Sequence, residues 1–179
     1  DGARPTAVAG YTFDIELRAN SKPFSAKAPR LSPEQARKEQ HHIQKALRLG
    51  HVVSPEPGQL GEWTAPVHVV HKKDDVNGRL IVDFRQLNRA TVEHPISLQN
   101  VQDKVRRLAA HRYKAMMDAV HGFNQIRGSS KAQRLLQVQT SLGIKQYTVL
   151  PFGVTNGPSI FQGMMLDVFL EEISGGLEE

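Results

Sequence analysis

Residues 71–88 read HKKDDVNGRLIVDFRQLN, and this stretch predicts the first long-range feature of the fold. Strand-like runs at 66–71 and 80–84 flank a polar connector. The connector contains Asn77-Gly78, a pair typical of tight hairpin turns. We therefore predict that the two runs form an antiparallel hairpin with its turn at this pair.

Such a hairpin would bring three cations together at its tip. Lys72 and Lys73 lie at the end of the first run, and Arg79 lies at the start of the second. A lysine binds phosphate as a point charge and an arginine binds it as a two-pronged fork. The tip is therefore a candidate phosphate clamp, and the alternative is a charged hairpin that only faces solvent.

The other segments predict a mixture of helices and strands. Ser32, Pro33 and Gln35 form an N-terminal capping signal for a helix that runs to about Leu49, before Gly50. Further elements are expected as a helix at 98–110, a buried strand at 112–118, a hairpin of 135–140 with 145–150 around Leu142-Gly143, and a final helix at 158–173. Hairpin-paired strands among helices predict an α+β fold with a mixed or antiparallel sheet and packed helices.

Composition excludes several classes of chemistry. The chain has 179 residues and no cysteine, so a disulfide framework, a zinc–thiolate site and a thiol nucleophile are all ruled out within it. The net charge of +5 agrees with a nucleic-acid partner, although a solvated basic surface would give the same value. No apolar run approaches the roughly 20 residues of a membrane span, so no membrane partner is expected.

A second informative stretch, residues 113–126, reads YKAMMDAVHGFNQI. Asp118 ends the predicted apolar strand, where its carboxylate could hold a magnesium ion together with substrate phosphates. The alternative is that Asp118 caps the following turn. Phe123 follows five positions later and could be a core aromatic or a residue of the site.

A third stretch, residues 149–162, reads VLPFGVTNGPSIFQ and predicts a strand, a loop and a helix. The three stretches, in this order and spacing, resemble the reverse transcriptases of gypsy-like long-terminal-repeat retrotransposons and of retroviruses. The resemblance covers roughly residues 11–173. It also includes the helix that ends before Gly50 and the run Trp63-Thr64-Ala65-Pro66-Val67.

The resemblance implies the fingers and part of the palm of a right-hand polymerase. It implies an N-terminal extended segment at 1–30 and fingers with the first palm strands at 31–110. The palm and fingers core with the first catalytic aspartate would then occupy 111–173, and a short tail 174–179. The implied partners are an RNA or DNA template–primer, dNTPs, and the remaining polymerase, thumb and ribonuclease H regions of a polyprotein. An intracellular site is implied, cytoplasmic or nuclear, within a virus-like particle.

The resemblance also implies a role for individual residues. The reaction is dNTP addition to a primer 3′-hydroxyl with two Mg²⁺ or Mn²⁺ ions. Asp118 would be the catalytic carboxylate and would bind metal together with the Ala119 carbonyl. Phe123 would stack under the sugar and exclude a 2′-hydroxyl. The remaining matches are Lys72 and Arg79 for the triphosphate, Phe152 and Gly153 beside the nucleotide, and Asn156, Gly157, Pro158 and Gln162 against template and primer.

One motif of the family is absent from these 179 residues. After the final helix the family has a Tyr-x-Asp-Asp hairpin, whereas this sequence ends in LEEISGGLEE. We therefore expect a polymerase fragment that is inactive by itself. The alternative is a non-catalytic nucleic-acid-binding module derived from a retroelement.

Overall fold

The computed structural model describes residues 8, 10–73, 75–94, 106, 109–113 and 118–175. In chain order the strands are β1 (Thr12–Phe13), β2 (Val52–Val53), β3 (Thr64–Lys72), β4 (Asp75–Val82), β5 (Arg127–Gly128), β6 (Gln137–Thr140) and β7 (Gly143–Tyr147). The helices are α1 (Pro33–Arg48), α2 (Arg85–Ala90), α3 (Ser130–Leu135) and α4 (Gly157–Gly175), with a 3₁₀ turn at Gly122–Gln125.

Helix α1 begins as the capping signal predicted. The Ser32 hydroxyl accepts a hydrogen bond from the Gln35 backbone N–H at 3.2 Å, and the Gln35 side chain accepts one from the Ser32 N–H at 3.1 Å. These bonds satisfy two backbone donors that a helix start otherwise leaves unpaired. The helix ends at Arg48, and Gly50 follows with a φ of +72°. The predicted helix is therefore confirmed.

A five-stranded sheet in the order β2-β7-β6-β3-β4 organises the fold. The β3–β6 pair is parallel and the other three pairs are antiparallel, so the sheet is mixed. The predicted hairpin around Leu142-Gly143 is confirmed, with Gly143 at a φ of +80°. A smaller parallel pair joins β1 to β5. Sheet and helices together agree with the α+β prediction.

The hydrophobic core lies where the sheet meets α2, α3 and α4. It includes the buried side chains of Phe13, Ile15, Trp63, Val67, Phe84, Leu87, Ile126, Leu136, Val138, Leu150 and Met164. On α4 the side chain of Val168 is exposed, so it lies outside this core. No helix in the described part of the chain is both long and apolar enough to span a membrane.

The hairpin turn between β3 and β4 was predicted at the wrong residues. Lys72 pairs with Asp75, so the turn lies between these two residues, and Asn77-Gly78 lies inside β4. The pairing shifts register between Val70 and Lys72. Gly78 has a φ of +68° and packs against the Val70 carbonyl so closely that an added Cβ would overlap that oxygen. Gly78 therefore permits both the bulge and the close approach of the two backbones.

Other boundaries also differ from the predictions. The strand predicted at 80–84 ends at Val82, and the short helices α2 and α3 were not predicted, so residue 135 is helical. The final helix extends one residue further at its start and two at its end. In the strand predicted at 112–118, residues 112 and 113 form an exposed bend, residue 118 is exposed, and 114–117 lie outside the described residues. Most of the helix predicted at 98–110 also lies outside them.

We predict that Gly78→Ala destabilises the chain much more than Gly143→Ala. Both glycines have positive φ, which costs an alanine about 1 kcal/mol. Only Gly78 also faces a backbone oxygen, whereas a Cβ at Gly143 would meet nothing within 4 Å. We expect a loss of about 3 kcal/mol or more for Gly78→Ala, measured by urea denaturation. Equal losses for the two variants would contradict the close approach.

Candidate active site

A cleft of about 760 Å³ lies between α1, β4 and the loop that follows β7. It brings together three residues that the sequence predicted to contact a nucleotide: Arg79, Phe152 and Gly153. It is also lined by residues that were not predicted, among them His42, Lys45, His51, His121, Asn124 and Tyr147. The cleft is lined by two cationic side chains, Arg79 of β4 and Lys45 of α1, and by one carboxylate, Asp75. The excess of positive charge suits an anionic ligand.

Strand β4 forms the wall that carries Arg79. The exposed Arg79 pairs with Val70 across the β3–β4 ladder. Helix α1 holds this hairpin near its tip, because a ring nitrogen of His42 lies 3.1 Å from the Asn77 carbonyl oxygen. Lys73 is exposed at the turn, and the side chain of Lys72 lies outside the described part, so the grouping of all three cations stays a prediction.

An aromatic stack adjoins the cleft at Phe152. The rings of Phe123 and Phe152 are nearly parallel, with centroids 5.0 Å apart and planes 20° apart. The Phe123 ring also contacts the ring of Phe161 in α4, with centroids 5.1 Å apart. A Cβ added to Gly157 would lie 3.4 Å from the Phe123 ring, so the start of α4 also packs closely on it. Phe123 is thus both a packed aromatic and a neighbour of the cleft residue Phe152.

The segment from Asp118 to Phe123 turns sharply. Asp118 and Ala119 are exposed, and the Ala119 carbonyl accepts a hydrogen bond from the Gly122 N–H at 3.3 Å. His121 adopts a φ of +52°, an uncommon value for a residue other than glycine. A Cβ on Gly122 would lie 2.7 Å from the Phe161 ring. The turn therefore packs against α4 and leaves the Asp118 carboxylate open to solvent.

Asp118 and Ala119 fit a magnesium or manganese ion in their chemistry. Both offer oxygen ligands, and Mg²⁺ is commonly bound by one or two carboxylates together with substrate phosphates. Among the described residues, no group of three or more His, Asp or Glu side chains is placed to hold a metal ion. A metal here would therefore depend on oxygen ligands beyond those side chains.

The residues predicted to lie against template and primer differ in exposure. Asn156 is buried, and its side chain donates to the Val92 carbonyl at 2.8 Å and accepts from the His94 N–H at 3.1 Å. Gly157 is also buried, Gln162 is half-buried and Pro158 is exposed on the first turn of α4. The Asn156 side chain thus holds the backbone at Val92 and His94. The contacts of these four residues with template and primer stay predictions.

Two histidines form a feature that the sequence did not reveal. His51 is 8% exposed, and its Nε2 atom has no hydrogen-bond partner among the described residues. Its ring centroid lies 6.1 Å from that of His121. Burial, and then the neighbouring His121, lower the pKa of His51 below its ordinary 6.5. Nothing in the local sequence marks either histidine, since they are 70 positions apart in the chain (121 minus 51).

Comparison with known proteins shows the family to which this chain belongs. The sequence model of the family described as "Reverse transcriptase (RNA-dependent DNA polymerase)" matches residues 70–176. The chain is 28% identical over 164 residues to the "Retrovirus-related Pol polyprotein from transposon 412" of Drosophila melanogaster, covering 89% of this chain and 13% of that protein. It is 26% identical over 158 residues to the "Enzymatic polyprotein" of Cauliflower mosaic virus (strain NY8153), covering 87% of this chain and 23% of the relative.

A third relative is the "Retrovirus-related Pol polyprotein from transposon opus" of Drosophila melanogaster. It is 28% identical over 163 residues, which cover 88% of this chain and 16% of the relative. The chain thus spans less than a quarter of the length of these curated relatives. The chain belongs to the reverse transcriptase (RNA-dependent DNA polymerase) family, and its resemblance to retrotransposon enzymes is confirmed.

We predict that the pKa of His51 lies below 6.5 and rises in His121→Ala. The rise should be partial, because burial, the larger cause, remains. Below pH 6.5 the unfolded state then binds more protons at His51 than the folded state does. The contribution of neutral His51 to the free energy of unfolding is therefore complete above pH 6.5 and declines as the pH falls. NMR titration of the His51 ring proton measures both values. A midpoint at or above 6.5, or a fall in His121→Ala, would contradict the arrangement.

Proposed function

We propose that this chain supplies the fingers and the first part of the palm of an RNA-directed DNA polymerase. In this assignment residues 31–110 form the fingers with the first palm strands, and 111–173 form the palm and fingers core. The reaction is template-directed addition of a dNTP to a primer 3′-hydroxyl. The observation that carries the proposal is the cleft in which Arg79 faces the Phe152-Gly153 loop, beside the stacked Phe123.

The cleft, with a volume of about 760 Å³, suits a nucleoside triphosphate in both charge and size. Arg79 lies on the wall formed by β4, where its guanidinium can bind phosphate oxygens in a bidentate manner. Lys45 of α1 adds a second positive charge. Lys72 would act at the same phosphates by family resemblance. Phe152 and Gly153 border the cleft where the base and sugar would lie.

The proposed metal site lies at the turn that begins with Asp118. The carboxylate of Asp118 and the carbonyl of Ala119 would hold divalent metal, Mg²⁺ or Mn²⁺. When bound, two such ions activate the primer hydroxyl and stabilise the leaving pyrophosphate. Asp118 is exposed and therefore accessible to both metal and primer. Within the 179 residues no Tyr-x-Asp-Asp motif supplies further carboxylates, so we expect these residues alone not to extend a primer.

The relatives support the place of this chain in a larger protein. They are named as Pol or enzymatic polyproteins, and the chain covers only a small share of each. We propose that the chain likewise works beside further polymerase, thumb and ribonuclease H regions. Template and primer, RNA or DNA, would lie along the start of α4, where Pro158 is exposed and Gln162 is half-buried.

We predict that Arg79→Ala weakens binding of a dNTP more than Arg134→Ala does. Both arginines are exposed, but Arg134 belongs to α3 and does not line the cleft. Loss of this charged phosphate contact should lower the affinity by about tenfold and make it less dependent on salt. Fluorescence anisotropy with a fluorescently labelled dNTP, over a salt series, measures both quantities. Equal effects of the two variants, or binding that is insensitive to salt, would argue against the assignment.

We predict that Phe123 limits the sugar that the full-length polymerase accepts. Its ring is held between Phe152 and Phe161, so it cannot move aside for a 2′-hydroxyl. Phe123→Val should raise rNTP incorporation relative to dNTP by at least about tenfold, or roughly 1.4 kcal/mol of lost discrimination. Primer-extension kinetics with both substrates measure the ratio. Phe161→Leu removes one of the two rings that hold Phe123, so it should raise the ratio by less than Phe123→Val does. An unchanged ratio in active Phe123→Val would show that Phe123 only packs.

A further inference from the structure

Asn88 of α2 reaches across to the loop that carries Phe152. Its side-chain amide donates to the Gly153 carbonyl at 2.8 Å and accepts from the Thr155 N–H at 3.0 Å. One side chain thus binds the backbone on both sides of Val154. Gly153 has a φ of +92°, so the loop has a conformation that most residues would not adopt unaided.

The helix that bears Asn88 is well anchored. Phe84, immediately before α2, and Leu87 within it are both buried in the core. The Phe84 ring packs edge-on against Tyr147 at 6.4 Å, and a Cβ on Gly153 would lie 3.8 Å from the Phe84 ring. The Asp83 carboxylate also accepts the Arg85 N–H at the helix start, at 3.1 Å. Asn88 therefore projects from a helix that buried side chains and hydrogen bonds hold in place.

The ring of Phe152 lacks such support of its own. It is 66% exposed, so few side chains surround it, yet it stacks on Phe123 in a defined geometry. A largely exposed ring takes its direction mainly from the backbone that bears it. The backbone next to Phe152 is held by the Asn88 amide at Gly153 and Thr155.

We propose that Asn88 is a positioning residue for the nucleotide cleft. Its amide sets the backbone of the 152–155 loop and thereby holds the Phe152 ring against Phe123, where the ring completes the wall of the cleft. The effect on nucleotide binding rests on the proposed function, whereas the effect on the Phe152 ring does not. The two parts of the proposal can therefore fail separately.

The first test uses the 179-residue chain labelled with 4-fluorophenylalanine. Its seven phenylalanines give seven ¹⁹F resonances, and Phe152→Leu identifies that of Phe152. Asn88→Ala and Asn88→Asp should move the Phe152 resonance towards that of an unstacked ring. Asn88→Asp keeps an acceptor for Thr155 but places an oxygen against the Gly153 carbonyl. An unmoved resonance in either folded variant overturns the proposal.

Gln133→Ala is the matched control. Gln133 is also a half-buried amide with two side-chain hydrogen bonds, to the Gly128 carbonyl and the Gln146 side chain, and it lies on α3 away from the loop. It should leave the Phe152 resonance in place. An equal shift in Gln133→Ala would mean general loosening and would overturn the proposal. Amide exchange of Thr155 in the unaltered chain needs no variant: slow exchange supports the hydrogen bond to Asn88, and exchange as fast as a free amide overturns it.

The second test uses the full-length polymerase. Asn88→Ala should raise the KM for dNTP by about tenfold, as expected for the loss of two ordinary hydrogen bonds, while kcat changes by less than about threefold. Gln133→Ala should leave both constants near their original values. A lower kcat with unchanged KM overturns the link to nucleotide binding. A complete absence of polymerase activity in the unaltered protein would instead count against the proposed function, and the ¹⁹F result would still stand.

Discussion

Strand β3 changes its partner part-way along its length, and the rest of the structure depends on this change. Its first residues, Thr64 to Pro66, pair in parallel with β6, whereas Val67 to Lys72 pair in antiparallel fashion with β4. At the junction the Pro66 carbonyl accepts a hydrogen bond from the Asp83 N–H at 3.0 Å. One continuous strand therefore pairs with β6 at its start and with β4 along the rest of its length.

Two connections hold the hairpin and helix α1, which border the cleft. The far half of the hairpin is held by its own ladder and by α1, through packing on β4 and the His42 contact to Asn77. Helix α1 is in turn fastened to the sheet at the β6–β7 turn, where the buried Glu39 carboxylate accepts hydrogen bonds from the backbone and hydroxyl of Ser141. His42, which makes the contact to Asn77, also lines the cleft.

Polar side chains inside the sheet are satisfied by one another and by the backbone. Gln137 is fully buried, yet its amide donates to the Gln59 carbonyl and the Gln146 side chain and accepts from the Gly61 N–H. Unpaired, such a group would cost about 1–3 kcal/mol. The network fixes the loop before β3 against β6, and so it contributes to the position of the strand that links sheet and hairpin.

Features that depend on neighbouring residues could be predicted from the sequence. The start of α1 follows from Ser32 and Gln35, three positions apart, and the β6–β7 turn follows from Gly143. The order and spacing of three motifs were enough to indicate the reverse transcriptase family, because such motifs keep their order whatever the intervening residues do. Three of the residues that border the cleft, Arg79, Phe152 and Gly153, were found through those motifs.

Features that join distant parts of the chain required the tertiary structure. Asn88 binds Gly153 across 65 positions, and His42 reaches Asn77 across 35, so no local pattern records either contact. The Asn77-Gly78 pair resembled a turn, but the close approach of the Val70 carbonyl made Gly78 part of a bulge within β4. The sequence determined the local elements and the family, since both depend on residue type and spacing. The tertiary structure alone decided which side chains meet in the cleft, because that depends on how the strands pair.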